Sequence, residues 1–162
     1  EITLVKKKLQ KLKIYPDYKD NLDLTENLKN LNKQLHKVNI ESIKKDRSKN
    51  IIQDKKIGDV IIREQILKDF PSKELRSIID EGKKDIKSGI VVSISTFEDK
   101  VGLAVGVTKD LTSKYDAVDL VKAASVILGG KGGGGRKDFA QAGGVYKDKI
   151  KEALKEISKK FI

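Results

Sequence analysis

The sequence predicts a mixed α/β (α+β) protein: a small mixed β-sheet covered by helices, preceded by an antiparallel, coiled-coil-like helical hairpin. Three observations predict it. Apolar residues in the first third recur at intervals of three and four, the spacing of a helical seam. Further on, β-branched runs alternate with amphipathic helical stretches, the pattern of a sheet with crossover helices. Most of the 13 glycines are held back for one stretch, residues 129–144, where a packed core has no use for them. The division falls near residue 56, giving a helical arm over 1–56 and a glycine-rich α/β domain over 57–162.

In the arm, Ile2, Val5, Leu9 and Leu12 form a narrow stripe over residues 1–14. Tyr15-Pro16-Asp17 ends that helix, because proline restricts its predecessor and lacks an N–H. A second helix opens near residues 21–23, where Asp23 followed by Glu26 resembles a capping box. Leu24, Leu28, Leu31, Leu35 and Val38 then keep a 4-3-4-3 rhythm. The helix is extended to about Lys55, although Ile43, Ile51 and Ile52 fall off register. The two stripes suit an antiparallel hairpin; the same seam could instead join two chains as a homodimer. His36, the sole histidine, is expected on a solvated flank.

In the second part, residues 58–66 read as a buried strand through Val60, Ile61, Ile62 and Ile66. Phe70-Pro71 makes a turn and Ser72 the N-cap of a helix whose Leu75, Ile78, Ile79 and Ile86 face inward. Gly82 weakens that helix by about 1 kcal/mol relative to alanine. Gly89 opens a strand over 90–95, and residues 97–100 connect it to a second strand over 101–107. A helix over 115–128 leads into the glycine stretch. Within that stretch residues 139–142 read as a short edge strand, and residues 148–161 form a last amphipathic helix. Strand, helix, strand favours a parallel unit, and the hairpin adds an antiparallel neighbour.

Composition narrows the function. Lys and Arg number 35 against 24 Asp and Glu, a net charge of +11, which favours a polyanionic partner through counterion release. A lysine-rich genome explains part of this, but not why acidic residues fail to keep pace. With no cysteine there is no disulfide or thiolate metal site. No apolar run spans a membrane and no signal peptide is legible, so a cytoplasmic protein without membrane contact is expected.

The glycine stretch carries the candidate site: Lys131, Gly132, Gly133, Gly134, Gly135, Arg136, Lys137, Asp138, Gln141, Gly143 and Gly144. A linker would hold little but glycine and serine, and a helix C-cap needs one or two glycines. Neither accounts for the charged residues, which point to a loop whose N–H groups and cations cradle phosphate. It is not a P-loop, since no Lys-Ser/Thr follows the glycines, and not a dinucleotide fingerprint, since a helix rather than a strand precedes it. Arg136 offers a fork of donors to a phosphate, with Lys131 and Lys137 flanking it as point charges. Asp138 is expected to accept backbone N–H groups and hold the turn, and Gln141 to meet a ribose hydroxyl or base edge.

This stretch resembles the signature near the C-terminus of alanyl-tRNA synthetases, GGKGGGRPDMAQAGG, with one extra glycine and Lys137 in place of the usual proline. The likeness extends upstream through Ser88-Gly89-Ile90-Val91-Val92, the run from Gly106 to Thr112, and Asp119-Leu120-Val121-Lys122. It implies a module that binds tRNA, tRNA-Ala in that family, at its outer corner and links the aminoacylation and editing domains of a parent chain. The parent would use ATP, Mg and Zn; this chain is expected to hold no cofactor, metal or catalytic residue of its own. A rival reading is the glycine-rich substrate-binding domain of a DHH-superfamily phosphoesterase acting on single-stranded nucleic acid. The ending from Phe139 to Gly144 opposes it, since those enzymes place a histidine there. A third reading is an oligomerisation module working through the arm.

Overall fold

The computed structural model describes Lys7, residues 24–45 and residues 50–161 of the 162, and the chain divides into two compact units, 1–46 and 47–162. In the first unit a 22-residue helix, α1 (Leu24–Lys45), carries the predicted stripe. Leu31 is fully buried, and Leu28, Leu35 and Val38 are half-buried, while Lys29, Lys33 and Lys37 are exposed. The predicted first helix, apart from the helical Lys7, and with it the hairpin, lies outside the described residues. So does the His36 side chain.

The second unit is built on one six-stranded sheet: β1 (Ile51–Ile57), β2 (Val60–Lys68), β3 (Ile90–Phe97), β4 (Lys100–Val107), β5 (Gly133–Arg136) and β6 (Phe139–Gly144). The spatial order is β1-β2-β3-β4-β6-β5. Only β2 and β3 are parallel; α2 (Leu75–Ile86) connects them, as the strand–helix–strand pattern predicts. Between β4 and β5 runs α3 (Ala117–Ile127), and α4 (Ile150–Ser158) follows β6.

The strand β1 corrects the expectation that the second helix continues to Lys55. The described helix runs Leu24–Lys45, and residues 51–57 pair antiparallel with β2 around a Gly58-Asp59 tip. Gly58 takes the left-handed φ of +59° that such a tip requires. No apolar periodicity marks β1 because it buries neither face: six of its seven residues are exposed and Ile57 is half-buried.

The two sheet faces are packed differently, and β4 shows why. Its Leu103, Val105 and Val107 point to one face, joining Ile90, Val92 and Ile94 of β3 against Leu120, Val121 and Ala124 of α3 and Ile150, Leu154 and Ile157 of α4. Each such side chain contributes about 1.5–3 kcal/mol on full burial. The intervening residues Gly102, Ala104 and Gly106 face α2 and are small because that helix lies close. A Cβ on Gly106 would stand 2.2 Å from Ile79 Cγ2, and one on Gly102 2.4 Å from Ser72 Cβ. Gly82, which weakens α2 in isolation, sits where a Cβ would be 2.9 Å from Val91 Cγ1, so it too permits close approach.

Local expectations hold with small shifts. Leu75, Ile78, Ile79 and Ile86 are all buried. Ser72 is not an N-cap; Pro71 precedes a 3-10 turn, Ser72–Glu74, which runs into α2, and no side chain caps it. The cap of α3 is Asp116, whose Oδ1 accepts from the Val118 N–H at 2.8 Å.

Candidate nucleic-acid interface

The glycine stretch is a ribbon, not a loop. Residues 133–136 and 139–144 form the antiparallel pair β5–β6, with Arg136 opposite Phe139 and Gly134 opposite Gln141. β6 pairs on its other side with β4, so the expected edge strand at 139–142 is an interior strand and β5 takes the edge. The Val107 N–H donates to the Asp138 carbonyl at 3.0 Å, which sets the alternation of the ladder. Ala140, Ala142 and Gly144 then bond toward β4, Phe139 and Gln141 toward β5, and the peptide groups of Gly133 and Gly135 point outward from the sheet edge.

Two neighbouring glycines do unlike jobs. Gly135 has φ +154°, and a Cβ there would meet the Phe139 carbonyl oxygen at 2.3 Å. No other residue fits. Gly134 has no positive φ, and a Cβ there would meet nothing within 4 Å. Its bareness serves nothing inside the fold.

Around the ribbon the structure gathers charge that the sequence reading did not assign. A cleft of about 440 Å³ opens between the start of α2 and β6, lined by Ser72, Lys73, Leu75, Gly132, Gln141 and Gly143. Beyond it on the same face, Arg76 lies over the buried Phe139 ring at 5.1 Å, and Lys83 Nζ donates to the Asp138 carbonyl at 3.4 Å. Lys73, Arg76 and Lys83 are three and seven residues apart, a spacing that puts them on one side of a helix. That spacing was the available signal, beside the inward Leu75 and Ile79.

Arg136 and Lys137 stand at the far tip of the ribbon, both exposed. Asp138 does not chiefly hold the turn through backbone N–H groups: Arg136 Nε donates to its Oδ1 at 3.1 Å. Partial burial pushes the Asp138 carboxyl up, but the Arg136 hydrogen bond and charge, with the charge of Lys83, outweigh it and leave the group below its usual range. Gln141 is exposed on the cleft. Lys131 is not brought to Arg136. About 10 Å of strand separates the two ends of β5. Lys131 instead lines a second hollow, about 670 Å³, with Lys122, Val126, Gly130, Gly132 and Gly133. The candidate residues are thus strung along one ribbon with a basic hollow at each side of its base.

Among the described residues no group of three or more His, Cys, Asp or Glu side chains is placed to hold a metal ion, and no helix is long and apolar enough to cross a membrane.

The unit that carries this sheet and glycine ribbon falls in a known class: residues 59–162 match the DHHA1 domain, and the chain belongs to that family. Alanine–tRNA ligases are among its relatives. The alanine–tRNA ligase of Hyphomonas neptunium is 50% identical over 101 residues, which are 62% of this chain and 12% of that protein. The C-Ala domain from Aquifex aeolicus alanyl-tRNA synthetase superposes with a TM-score of 0.63 at 30% identity, covering 67% of this chain and 97% of that domain. The chain is therefore similar to the C-terminal domain of these synthetases and corresponds to about an eighth of the length of the curated relatives it matches. A member of the s1p family of ribosomal proteins with a DHH domain shares the fold, with a TM-score of 0.52 at 16% identity, over 82% of this chain and 32% of that one.

Proposed function

We propose that the unit of residues 47–162 is an RNA-binding module of an alanine–tRNA ligase, contacting the outer corner of tRNA-Ala and supporting aminoacylation and editing by the rest of the parent chain. The observation that carries this reading is the set of cations along the glycine ribbon: Lys73 lines the cleft with Gln141 and glycine backbone, Arg76 and Lys83 of α2 lie against Phe139 and Asp138, and Arg136 and Lys137 stand exposed at the tip. The likeness to the C-Ala domain supports the same reading.

Chemically, the cations neutralise phosphates, while Gln141 and the outward peptide groups of Gly133 and Gly135 offer hydrogen bonds to ribose hydroxyls or base edges. Such an arrangement reads shape and backbone more than sequence. The unit of residues 1–46 serves as the arm that joins the module to the catalytic and editing domains. In this reading ATP, Mg and Zn belong to those domains, and the protein works in the cytoplasm.

The test is titration of the chain with tRNA-Ala, a second tRNA and a short single strand, each at two salt concentrations. Binding should prefer the folded tRNAs over the single strand and fall with a log–log slope of roughly −0.7 to −0.9 per phosphate neutralised. A flat salt dependence, or equal affinity for the short single strand, overturns the reading; the second outcome favours the DHH-type one.

A further inference from the structure

We infer that Tyr146, with Val126 beside it, is a stacking platform for an unpaired RNA base whose flanking phosphates lie on Lys122 and Lys131. The inference rests on the RNA-binding reading and places a second contact on the opposite side of the ribbon's base from the Gln141 cleft.

The argument starts from a tyrosine held in an unprofitable place. Tyr146 follows β6 and is 53% exposed, and its hydroxyl has no hydrogen-bond partner among the described residues. It is nevertheless fixed. Its N–H donates to the Leu128 carbonyl at 3.0 Å, and its ring rests on Gly129, where a Cβ would stand 2.5 Å from a ring carbon. Gly129, at φ +73°, is the turn residue at the end of α3. The ring is thus positioned by bare backbone while over half the residue remains in water.

Its surroundings have the chemistry of a nucleotide. Gly129, on which the ring rests, donates to the carbonyl of Val126, itself 72% exposed, at 3.2 Å, and is followed by Gly130, which lines the hollow beside the ribbon's base. Lys122 lies one turn before Val126 on the same helix face, and both line the 670 Å³ hollow with Lys131. No ion-pair partner holds either lysine among the described residues. Lysines in a hollow with exposed Val126, next to the glycine turn that carries the ring, suit a base on the ring and phosphates on the cations, the general way single-stranded nucleic acid is gripped. An aliphatic protein partner would leave both charges unpaired in its interface, at a cost in desolvation.

The experiment compares the chain with Tyr146→Ala, Tyr146→Phe and Arg136→Ala on two probes: an RNA hairpin with an eight-nucleotide loop carrying 2-aminopurine, and a blunt duplex of the same length. The expected result is that Tyr146→Ala weakens hairpin binding about tenfold or more, the usual loss for one stacked base. It should leave the duplex unchanged and abolish the fluorescence quenching that reports stacking. Tyr146→Phe should retain both, and Arg136→Ala should weaken both probes alike. Unchanged hairpin binding and quenching in Tyr146→Ala, with Arg136→Ala still impaired, overturns the platform and spares the RNA reading. Failure of the parent chain to bind either probe overturns both. Dissociation of a dimer by Tyr146→Ala in sedimentation gives the surface to a second copy and overturns the platform. Melting curves keep these outcomes separate from misfolding, which Tyr146→Phe guards against by preserving the packing on Gly129.

Discussion

The sheet has two edges, β1 and β5, and the protein treats them in opposite ways. β1 carries long polar side chains on exposed backbone, and these are tied down. Arg63 on β2 grips Asp54 through Nε and Nη2 at 2.7 and 2.8 Å and reaches Asp85 at 3.1 Å, while Lys55 pairs with Glu64 at 2.6 Å. A charged edge resists addition of a further strand. β5 is three glycines and an arginine. Along its three glycines the edge presents peptide groups with no side chain to guard them, and its one cation, Arg136, stands at the tip. One edge is closed by charge; the other is left bare, which under the proposed function lets a polyanion come close to backbone.

The contrast can be broken most violently at Gly135. Gly135→Val puts a β-branched residue at φ +154° against the Phe139 carbonyl and should cost roughly 3 kcal/mol or more in a thermal melt. Gly134→Val, one residue away with open space, should melt within about 0.5 kcal/mol of the parent yet weaken tRNA binding, since its branches stand where the ligand approaches. Equal melting of the two variants would count against the ribbon geometry.

Next in size, Arg136→Ala should weaken tRNA binding by on the order of 1–3 kcal/mol, the range for a lost charge-assisted contact, with little change in melting. Arg63→Ala at the other edge should do the reverse. It should lose about 1 kcal/mol of stability, because a bidentate pair on a half-buried guanidinium is lost, and keep tRNA affinity in the same titration.

The smallest effect is with pH. The Arg63 hydrogen bond and charge outweigh partial burial and hold the Asp54 carboxyl below its usual range, and Asp138 is also low. A carboxyl lowered on folding contributes stability that is fully present above the unfolded carboxylate range, near pH 4, and is lost as pH falls through the folded value. Melting curves of the parent and Arg63→Ala should therefore keep a constant separation from pH 8 to 5 and converge in acid. A separation that widens in acid would refute the pairing.

The sequence reading succeeded where burial writes a pattern and failed where it does not. Leu75, Ile78, Ile79 and Ile86 announce α2 because each is buried. Ile51 and Ile52 announce nothing because both are about half exposed, and β1 is held by pairing and ion pairs alone; the Gly58-Asp59 tip was its one local mark. The glycine stretch was read as a cradling loop since glycine is depleted in strands. The spacing of its residues along an extended ribbon carried Lys131 away from Arg136. Arg76 and Lys83 were invisible as neighbours of the ribbon because nothing in one chain of letters says that α2 lies against β6. What put them there was the small side of β4, Gly102, Ala104 and Gly106, legible only after the register was known.

The ribbon tip is also a latch. The Lys137 carbonyl accepts from the Ala117 N–H and the Asp138 carbonyl from the Val107 N–H, each at 3.0 Å. Both acceptors at the tip are thus occupied in holding the start of α3 and the end of β4. The tip side chains therefore ride on a backbone already held in place, and under the proposed reading little backbone entropy remains to be lost when they engage RNA. Two interior amides become remote gauges of the tip: hydrogen exchange at Ala117 and Val107 should quicken together whenever the hairpin lifts, and slow together when ligand clamps it.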